Sequence, residues 1–354
     1  MARTTLRLRR LGLSLAVGLP VLLSPIPALA EEPASHRPAA GSLDDAIRSA
    51  GRAGAAWVAW EVPKVEHQGD VCCYEGWHGG HRPSKRGCRL EGRGSAGFTI
   101  TSGTDWPAVP PDDGTLAIYA KVGPGGVERL QAYAGSCPVD AAGKKLTWLD
   151  GVDAERSVDF LSGLARRGDD DDHAVSALAL HAAPRATRVL EELSRAPGEV
   201  REKAIFWLGE VRGKDGFAAL QRLRGTHPDV EVLEKIAFAL SQSPVPEAKR
   251  ELLDMAKNEP EGEARSKALF WLSQSGGDEA ANAIFTASQH DKDADVRKQA
   301  VFALSQLDDG KGTPLLLRLL KETKDREVRQ QALFWLGQSD DPKAQDALEA
   351  VLLH

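Results

Sequence analysis

The chain has 354 residues, with 45 Lys and Arg against 51 Asp and Glu, and a formal net charge of −6. Nucleic acids and anionic membranes are held through clustered Lys and Arg. An acidic chain with no basic stripe therefore argues against both as partners.

Residues 1–30 read as a secretory signal. Arg3, Arg7, Arg9 and Arg10 form a basic start, residues 11–23 are apolar apart from Gly and Pro interruptions, and Ala28-Leu29-Ala30 is a small-x-small cleavage site. The apolar run is too short for a membrane span, and no Cys lies near the cleavage site to take a lipid. Losing this segment removes four Arg and moves the net charge from −6 to −10. The expected location is the periplasm or the outside of the cell, with no membrane span once the signal is removed.

Residues 31–42 have the composition of a linker. Residues 43–152 change in texture: Gly and Pro are frequent and all four Cys lie here. A short helix is predicted over 44–50 and a strand over 56–62. Residues 116–122 and 127–133 are predicted to form a hairpin across the Gly-Pro-Gly-Gly loop at 123–126, with a further short strand at 146–148. This is a small β-rich domain.

Its chemistry-bearing stretch holds Cys72, Cys73, His78, His81 and Cys88, with Cys137 farther on. In an oxidising compartment an even Cys count reads as disulfides. Adjacent Cys72 and Cys73 would make a strained bridge. That leaves Cys72–Cys88 with Cys73–Cys137, or Cys72–Cys137 with Cys73–Cys88, each bridge adding about 2–4 kcal/mol. The alternative is a zinc or copper site on Cys72, Cys73, His78, His81 and Cys88, although the spacing matches no paired C-x-x-C site. His67, His78 and His81 lack the partners of a catalytic triad, and no G-x-S-x-G, P-loop or H-E-x-x-H occurs. No catalytic residue and no cofactor are assigned.

Residues 153–172 connect the two halves. Asp153 is placed to cap a helix over 154–166 with Val158, Leu161 and Leu164 on one face. The four Asp at 169–172 read as a solvated linker that favours the next helix start; calcium would need Gly and oxygen ligands at loop spacing.

From residue 173 to 354 one phrase recurs. Val200-Arg-Glu-Lys-Ala-Ile-Phe-Trp-Leu208 returns at 232–240, 264–272, 296–304 and 328–336, a fixed step of 32 residues. A fixed period in this range marks a repeat array. The apolar spacing within each copy is helical, a polar turn follows, and then a second apolar stretch, so each unit is a helix pair that buries its apolar face only by stacking. Pro342 fits the first turn of such a second helix. Residues 174–179 align as a degenerate first copy with Ser176 in the Phe slot, as expected of a capping unit. Together this gives a mostly α chain: about six helix pairs preceded by a small disulfide-linked β-rich domain.

Two positions stand out. Phe206, Phe238, Phe270, Phe302 and Phe334 fall at one phase, nearly opposite the direction set by the core Val, Ala and Leu. Five such residues would make a ladder along the array, either packed between tilted helices or exposed as a binding strip. The following residue alternates as Trp207, Ala239, Trp271, Ala303 and Trp335. Each Trp is expected to fill space left by the Ala of a neighbouring copy. The neighbouring Gln242, Gln274, Gln306 and Gln338 are expected to serve hydrogen bonding at helix ends.

The phrase Val-Arg-x-x-Ala-φ-x-x-Leu-Gly, an Asp-rich turn and a Leu-rich helix resembles HEAT repeats of the short, phycobilisome-lyase-like type. Arg201, Arg265, Arg297 and Arg329 match the pattern's Arg and Gly209 and Gly337 its Gly; Leu233 departs from the first, and Ser241, Ser273 and Ser305 from the second. The resemblance implies a right-handed α-solenoid that presents a binding surface, with the second helices on its concave side. It does not carry over the di-iron chemistry of deoxyhypusine hydroxylase-like members, which repeat His-Glu pairs absent here. The phycobilin lyases resemble it only in the scaffold. The expected function is a non-enzymatic interaction scaffold or adaptor of the bacterial cell envelope that binds a protein or peptide along the repeat surface.

Overall fold

The computed structural model describes residues 34–66, 88–91, 113–167, 173–226, 228–307, 310–339 and 341–345. The signal segment, Cys72, Cys73, His67, His78, His81 and the four-Asp run lie outside these residues.

The described residues open with a sheet. Strands β1 (Ser35–Pro38), β2 (Trp57–Pro63), β4 (Thr115–Gly123), β5 (Gly126–Ala134) and β7 (Leu146–Asp150) pair in the order β1-β7-β2-β4-β5. The β4–β5 hairpin and the β2–β4 pair are antiparallel, whereas β7 runs parallel to both β1 and β2. In β2 the run Trp57-Val58-Ala59-Trp60 is fully buried, the mark of a strand covered on both faces. Helix α1 (Leu43–Arg52) is capped by Ser42, whose hydroxyl accepts the Asp45 N–H, and buries Leu43, Ala46, Ile47 and Ala50. Two short strands, β3 (Cys88–Arg89) and β6 (Val139–Asp140), pair in parallel beside the main sheet.

One expectation changes here. Residues 35–38, read as linker, are a strand: Ser35 to Pro38 register against Thr147 to Asp150 of β7. The segment carries no alternating pattern because it is an exposed edge, and the partner strand supplies the order through backbone hydrogen bonds.

Helix α2 (Ala154–Arg167) starts where expected, with the Asp153 carboxylate accepting the N–H groups of Glu155 and Arg156. It is fixed to the sheet by Trp60, whose Nε1 donates to the Ser157 hydroxyl at 3.0 Å and whose ring meets Phe160 edge-on. The repeat array follows as helix pairs: α3 (His173–Leu180) with α4 (Pro184–Leu193), α5 (Glu199–Glu210) with α6 (Gly213–Arg224), and α7 (Val230–Gln242) with α8 (Pro246–Asn258). Then come α9 (Gly262–Ser275) with α10 (Asp278–His290), α11 (Ala294–Ser305) with α12 (Gly312–Glu322), and α13 (Arg326–Gly337), after which residues 342–345 are again helical.

The first helices, α5, α7, α9, α11 and α13, pack on one another in order and more extensively than the second helices do. Small residues allow this. Ala204, Ala237, Ala268, Ala300 and Ala332 are fully buried, and a Cβ on Gly209 would meet the Ala239 carbonyl at 2.3 Å.

Neighbouring units are also tied by charge. At Arg265 and Arg297 the repeat Arg reaches back to a carbonyl of its own preceding turn and forward to an Asp of the next. Arg265 donates to the Glu259 and Pro260 carbonyls and, bidentately, to Asp291 at 2.8 and 2.9 Å; Arg297 does the same with the Asp291 carbonyl and Asp325. Asp229, Asp293 and Asp325 cap the helices that follow them.

Sheet and helices form one unit from Ala34 onward. The Val65 N–H donates to Leu180 and the Ala182 N–H to Pro63. Every residue of α3 from Ala174 to Leu180 is buried.

Candidate functional site

The first helices bring the five phenylalanines to a common face, and they are neither core nor freely exposed. Phe206, Phe238, Phe270 and Phe302 are half-buried, and Phe334 is 54% exposed. The side chains meet in an unbroken series. Phe206 stacks on Phe238 with centroids 5.7 Å apart; Phe238 meets Trp271 at 4.5 Å; Trp271 meets Phe270 at 5.0 Å; Phe270 stacks on Phe302 at 6.1 Å; and Phe302 meets Trp335 at 5.0 Å. Trp207 and Phe334 extend the ends against Phe206 and Trp335. Eight rings from five helices thus form one ladder. The module is two repeats long: a face-to-face Phe pair, then a Trp that bridges to the next pair.

The alternation of Trp with Ala has a local reason. Ala239 and Ala303 are buried at the helix contact, and Trp271 and Trp335 lie on the phenylalanines next to them. The indole Nε1 atoms of Trp271 and Trp335 are buried without a hydrogen-bond partner, so these rings are held by packing rather than by polar contacts.

Beyond the ladder toward the helix ends, Ser241, Ser273 and Ser305 donate their hydroxyls to the carbonyls of Phe238, Phe270 and Phe302, and Gln242, Gln274 and Gln306 donate to those serines. The glutamines finish the helix ends. Toward the helix starts runs an acidic row: Glu199, Glu231, Glu263, Asp295 and Glu327, all exposed. Carboxylates suit that place, beside the positive end of each helix. Much of the charge on this face is paired: Lys235 with Glu202 at 2.7 Å, Lys267 with Glu234 at 3.1 Å, and Lys298 with Asp295 at 2.6 Å. Lys298 holds the Asp295 carboxyl below its ordinary pKa, and Glu202 lifts that of Lys235.

The surface opens between α9 and α11 into a cleft of about 630 Å3, lined by Phe270 and Phe302 and by Glu234, Glu263, Asp293 and Asp295. A second cleft of about 700 Å3 lies across α8, α9 and α10 and is lined by a mixture of Ala, Asn, Lys and Glu side chains.

The expected disulfide or metal stretch is described only in part. Cys88 is buried at the start of β3, and its N–H donates to Pro138; Cys137 is buried just before β6. The small sheet therefore sets Cys88 on β3 and Cys137 just ahead of its partner strand β6, while the other candidate residues of that stretch lie outside the described residues. Among the described residues no group of three or more His, Cys, Asp and Glu is placed to hold a metal, and no helix is long and apolar enough to cross a membrane.

One buried group had no signal in the sequence. His181 is completely buried where the sheet meets the array; its Nδ1 accepts the Ala183 N–H, and its Nε2 has no partner. Burial, reinforced by the Arg212 charge, pushes its pKa down to about 4. Arg212 is itself buried and donates to the carbonyls of Ala179, His181 and Ala183 and to the Thr187 hydroxyl.

Among curated proteins no match to this chain is found. Among solved structures, human deoxyhypusine hydroxylase in complex with glycerol is similar at 19% identity, covering 56% of this chain and 90% of that one, with a TM-score of 0.25. The complex of CpcE and CpcF of phycocyanin lyase from a Nostoc species is similar at 16% identity, covering 56% of this chain and 83% of that one, with a TM-score of 0.28. Likenesses this distant carry no argument about what this chain does. Residues 186–273 and 281–354 match the family described as HEAT repeats. Over these two stretches the chain is similar to HEAT repeats.

Proposed function

We propose that this protein is a non-enzymatic interaction scaffold of the bacterial cell envelope, binding a protein or peptide along the face that carries the aromatic ladder. The observation that carries the reading is the ladder itself. Eight rings in contact, six of them half-buried and Phe334 exposed, offer a contiguous apolar strip, and such strips serve interaction. Trp and other large aromatics are also the residues that dominate binding energy at interfaces. Repeat arrays in general present extended surfaces of this kind. The envelope location rests on the signal-like residues 1–30.

In that location we further propose that Cys137 is bridged to Cys72 or Cys73, with Cys88 taking the other. The support is the even Cys count expected of an oxidising compartment and the strain of a bridge between adjacent Cys72 and Cys73. Non-reducing peptide mapping that returned Cys88 joined to Cys137 would overturn this pairing.

The scaffold reading is tested by comparing the protein with a Phe238→Ser/Phe270→Ser/Phe302→Ser variant whose helical content and melting are first shown to persist. A protein captured from envelope extract is purified and titrated against both. Binding to wild type with at least a tenfold loss in the folded variant is the expected result. Equal binding to both would sink the ladder as the surface. Since Phe334 meets only the edge of Trp335 among the described rings and is largely exposed, Phe334→Ser should leave stability within about 0.5 kcal/mol of wild type.

A further inference from the structure

Resting on the scaffold reading, we infer that the cleft between α9 and α11 receives a cationic side chain, Lys or Arg, from a peptide segment of the bound protein. The cleft joins two features that together fit a cation and no other charge. Its apolar wall is the Phe270–Phe302 pair, with rings 6.1 Å apart and only 6° from parallel. Its rim is acidic: Glu234, Glu263, Asp293 and Asp295 face it, against Lys267 alone among the lining residues. A cation over an aromatic face is attracted by the ring quadrupole, and nearby carboxylates add to that attraction.

The equivalent position one module earlier shows what is special here. At the Phe206–Phe238 pair, Glu202 and Lys235 occupy the slots that Ser266 and Gln299 hold at the cleft, and they neutralise each other at 2.7 Å. Lys203 likewise pairs with Glu199 at 3.2 Å. At α9 and α11 both members of that pair are gone, neutral Ser266 and Gln299 stand in their place, and the other lining carboxylates remain. Lys267 is engaged by Glu234, and Lys298, outside the lining, by Asp295 and Glu327. Glu263 and Asp293 remain to meet an incoming charge. Asp293 also reaches close to Gly262, where a Cβ would lie 2.4 Å from its carboxylate. The glycine therefore leaves room for the Asp293 carboxylate at the acidic end of the cleft.

The occupant is thus a basic, partly apolar segment whose aliphatic residues lie along the ladder and whose Lys or Arg enters between α9 and α11. The experiment uses the full chain and three capped peptides on one Gly/Ser/Leu frame, carrying Arg, Gln or Glu at the same two positions, with binding followed calorimetrically. The Arg peptide should bind at least tenfold more tightly than the Gln peptide, and the Glu peptide more weakly still. A Glu263→Gln/Asp293→Asn variant should bring the Arg peptide down to the Gln peptide's affinity, as should raising the salt from about 0.05 to about 0.5 M. Asp293 caps α11, so Glu263→Gln alone provides a second variant that leaves the cap intact; it should show a smaller loss in the same direction.

Equal binding of the Arg and Gln peptides overturns the inference, as does an Arg peptide indifferent to both variants, or no binding by any of the three. If the peptides bind irrespective of charge and Phe270→Ser abolishes that binding, the cationic site fails while the ladder as a surface stands.

Discussion

At the scale of single residues, His181 sets an acid limit on the molecule. A buried neutral imidazole with a pKa near 4, against about 6.5 in the unfolded chain, stabilises the fold fully above the unfolded value. That contribution is lost as pH falls from about 6.5 through about 4, where the unfolded chain binds a proton that the folded one refuses. The span corresponds to about 3 kcal/mol. Urea unfolding at pH 7 and pH 4.5 should therefore show a larger acid-induced loss in wild type than in His181→Asn, which keeps an acceptor for Ala183 but does not titrate. Parallel losses in the two proteins would remove His181 from the account. Trp271 gives a second test. Its ring lies on Phe238 and Phe270, so Trp271→Ala should cost about 3 kcal/mol. Trp271→Phe also deletes an unsatisfied buried N–H and should stay within about 1 kcal/mol of wild type. The Trp/Ala alternation was visible in the sequence because it repeats. His181 was not, since its state depends on a strand and an arginine brought together only by the fold.

At the scale of elements, the ties between repeats decide how firmly one helix pair is held to the next. Arg265 is 2% exposed and Asp291 9%. Burial works against the Asp291 charge, but the two hydrogen bonds from Arg265 and the Asp293 N–H outweigh it and leave its carboxyl below the usual range. Asp291→Ala would leave a buried guanidinium with carbonyl partners only, and should cost about 3–5 kcal/mol in a denaturant melt. Arg265→Met removes both charges' need for each other at one end and exposes Asp291 to water, so it should cost less. A result in the opposite order would mean that the carbonyls, not the carboxylate, hold Arg265. Elements with strong periodicity were legible almost to their ends: the hairpin at β4 and β5, the helix after Asp153, and every first helix of the array. Strand β1 was not, because Ser-His-Arg-Pro owes its extended state to β7. Which way the phenylalanines faced was only half legible. The helical wheel put them away from the core, but their burial comes from one another, through contacts between helices that a single-helix projection does not contain.

At the scale of the whole molecule, the sheet takes the place of a terminal repeat. Helix α3 is buried all round, and its sequence, with Ser176 and Ala177 in the aromatic slots, suits a face that meets the sheet and α2 rather than a further helix pair. Repeat arrays need such an end to stay soluble. Removing residues 34–150 should therefore expose α3, raise binding of an apolar dye and speed amide exchange in α3 and α4 while leaving α9 to α11 protected. Unchanged exchange in α3 would show that the array closes its own end.

The regular ladder also makes the surface a ruler. Packed helices lie about 8–10 Å apart, so the two-repeat module of paired phenylalanines and bridging tryptophan recurs about every 16–20 Å. An extended chain advances about 3.3 Å per residue, and a helix about 1.5 Å. A segment lying along the modules would thus present its anchoring side chains about every five or six residues if extended, and about every eleven to thirteen if helical. The interval between anchors in a partner's sequence would reveal in which conformation it binds.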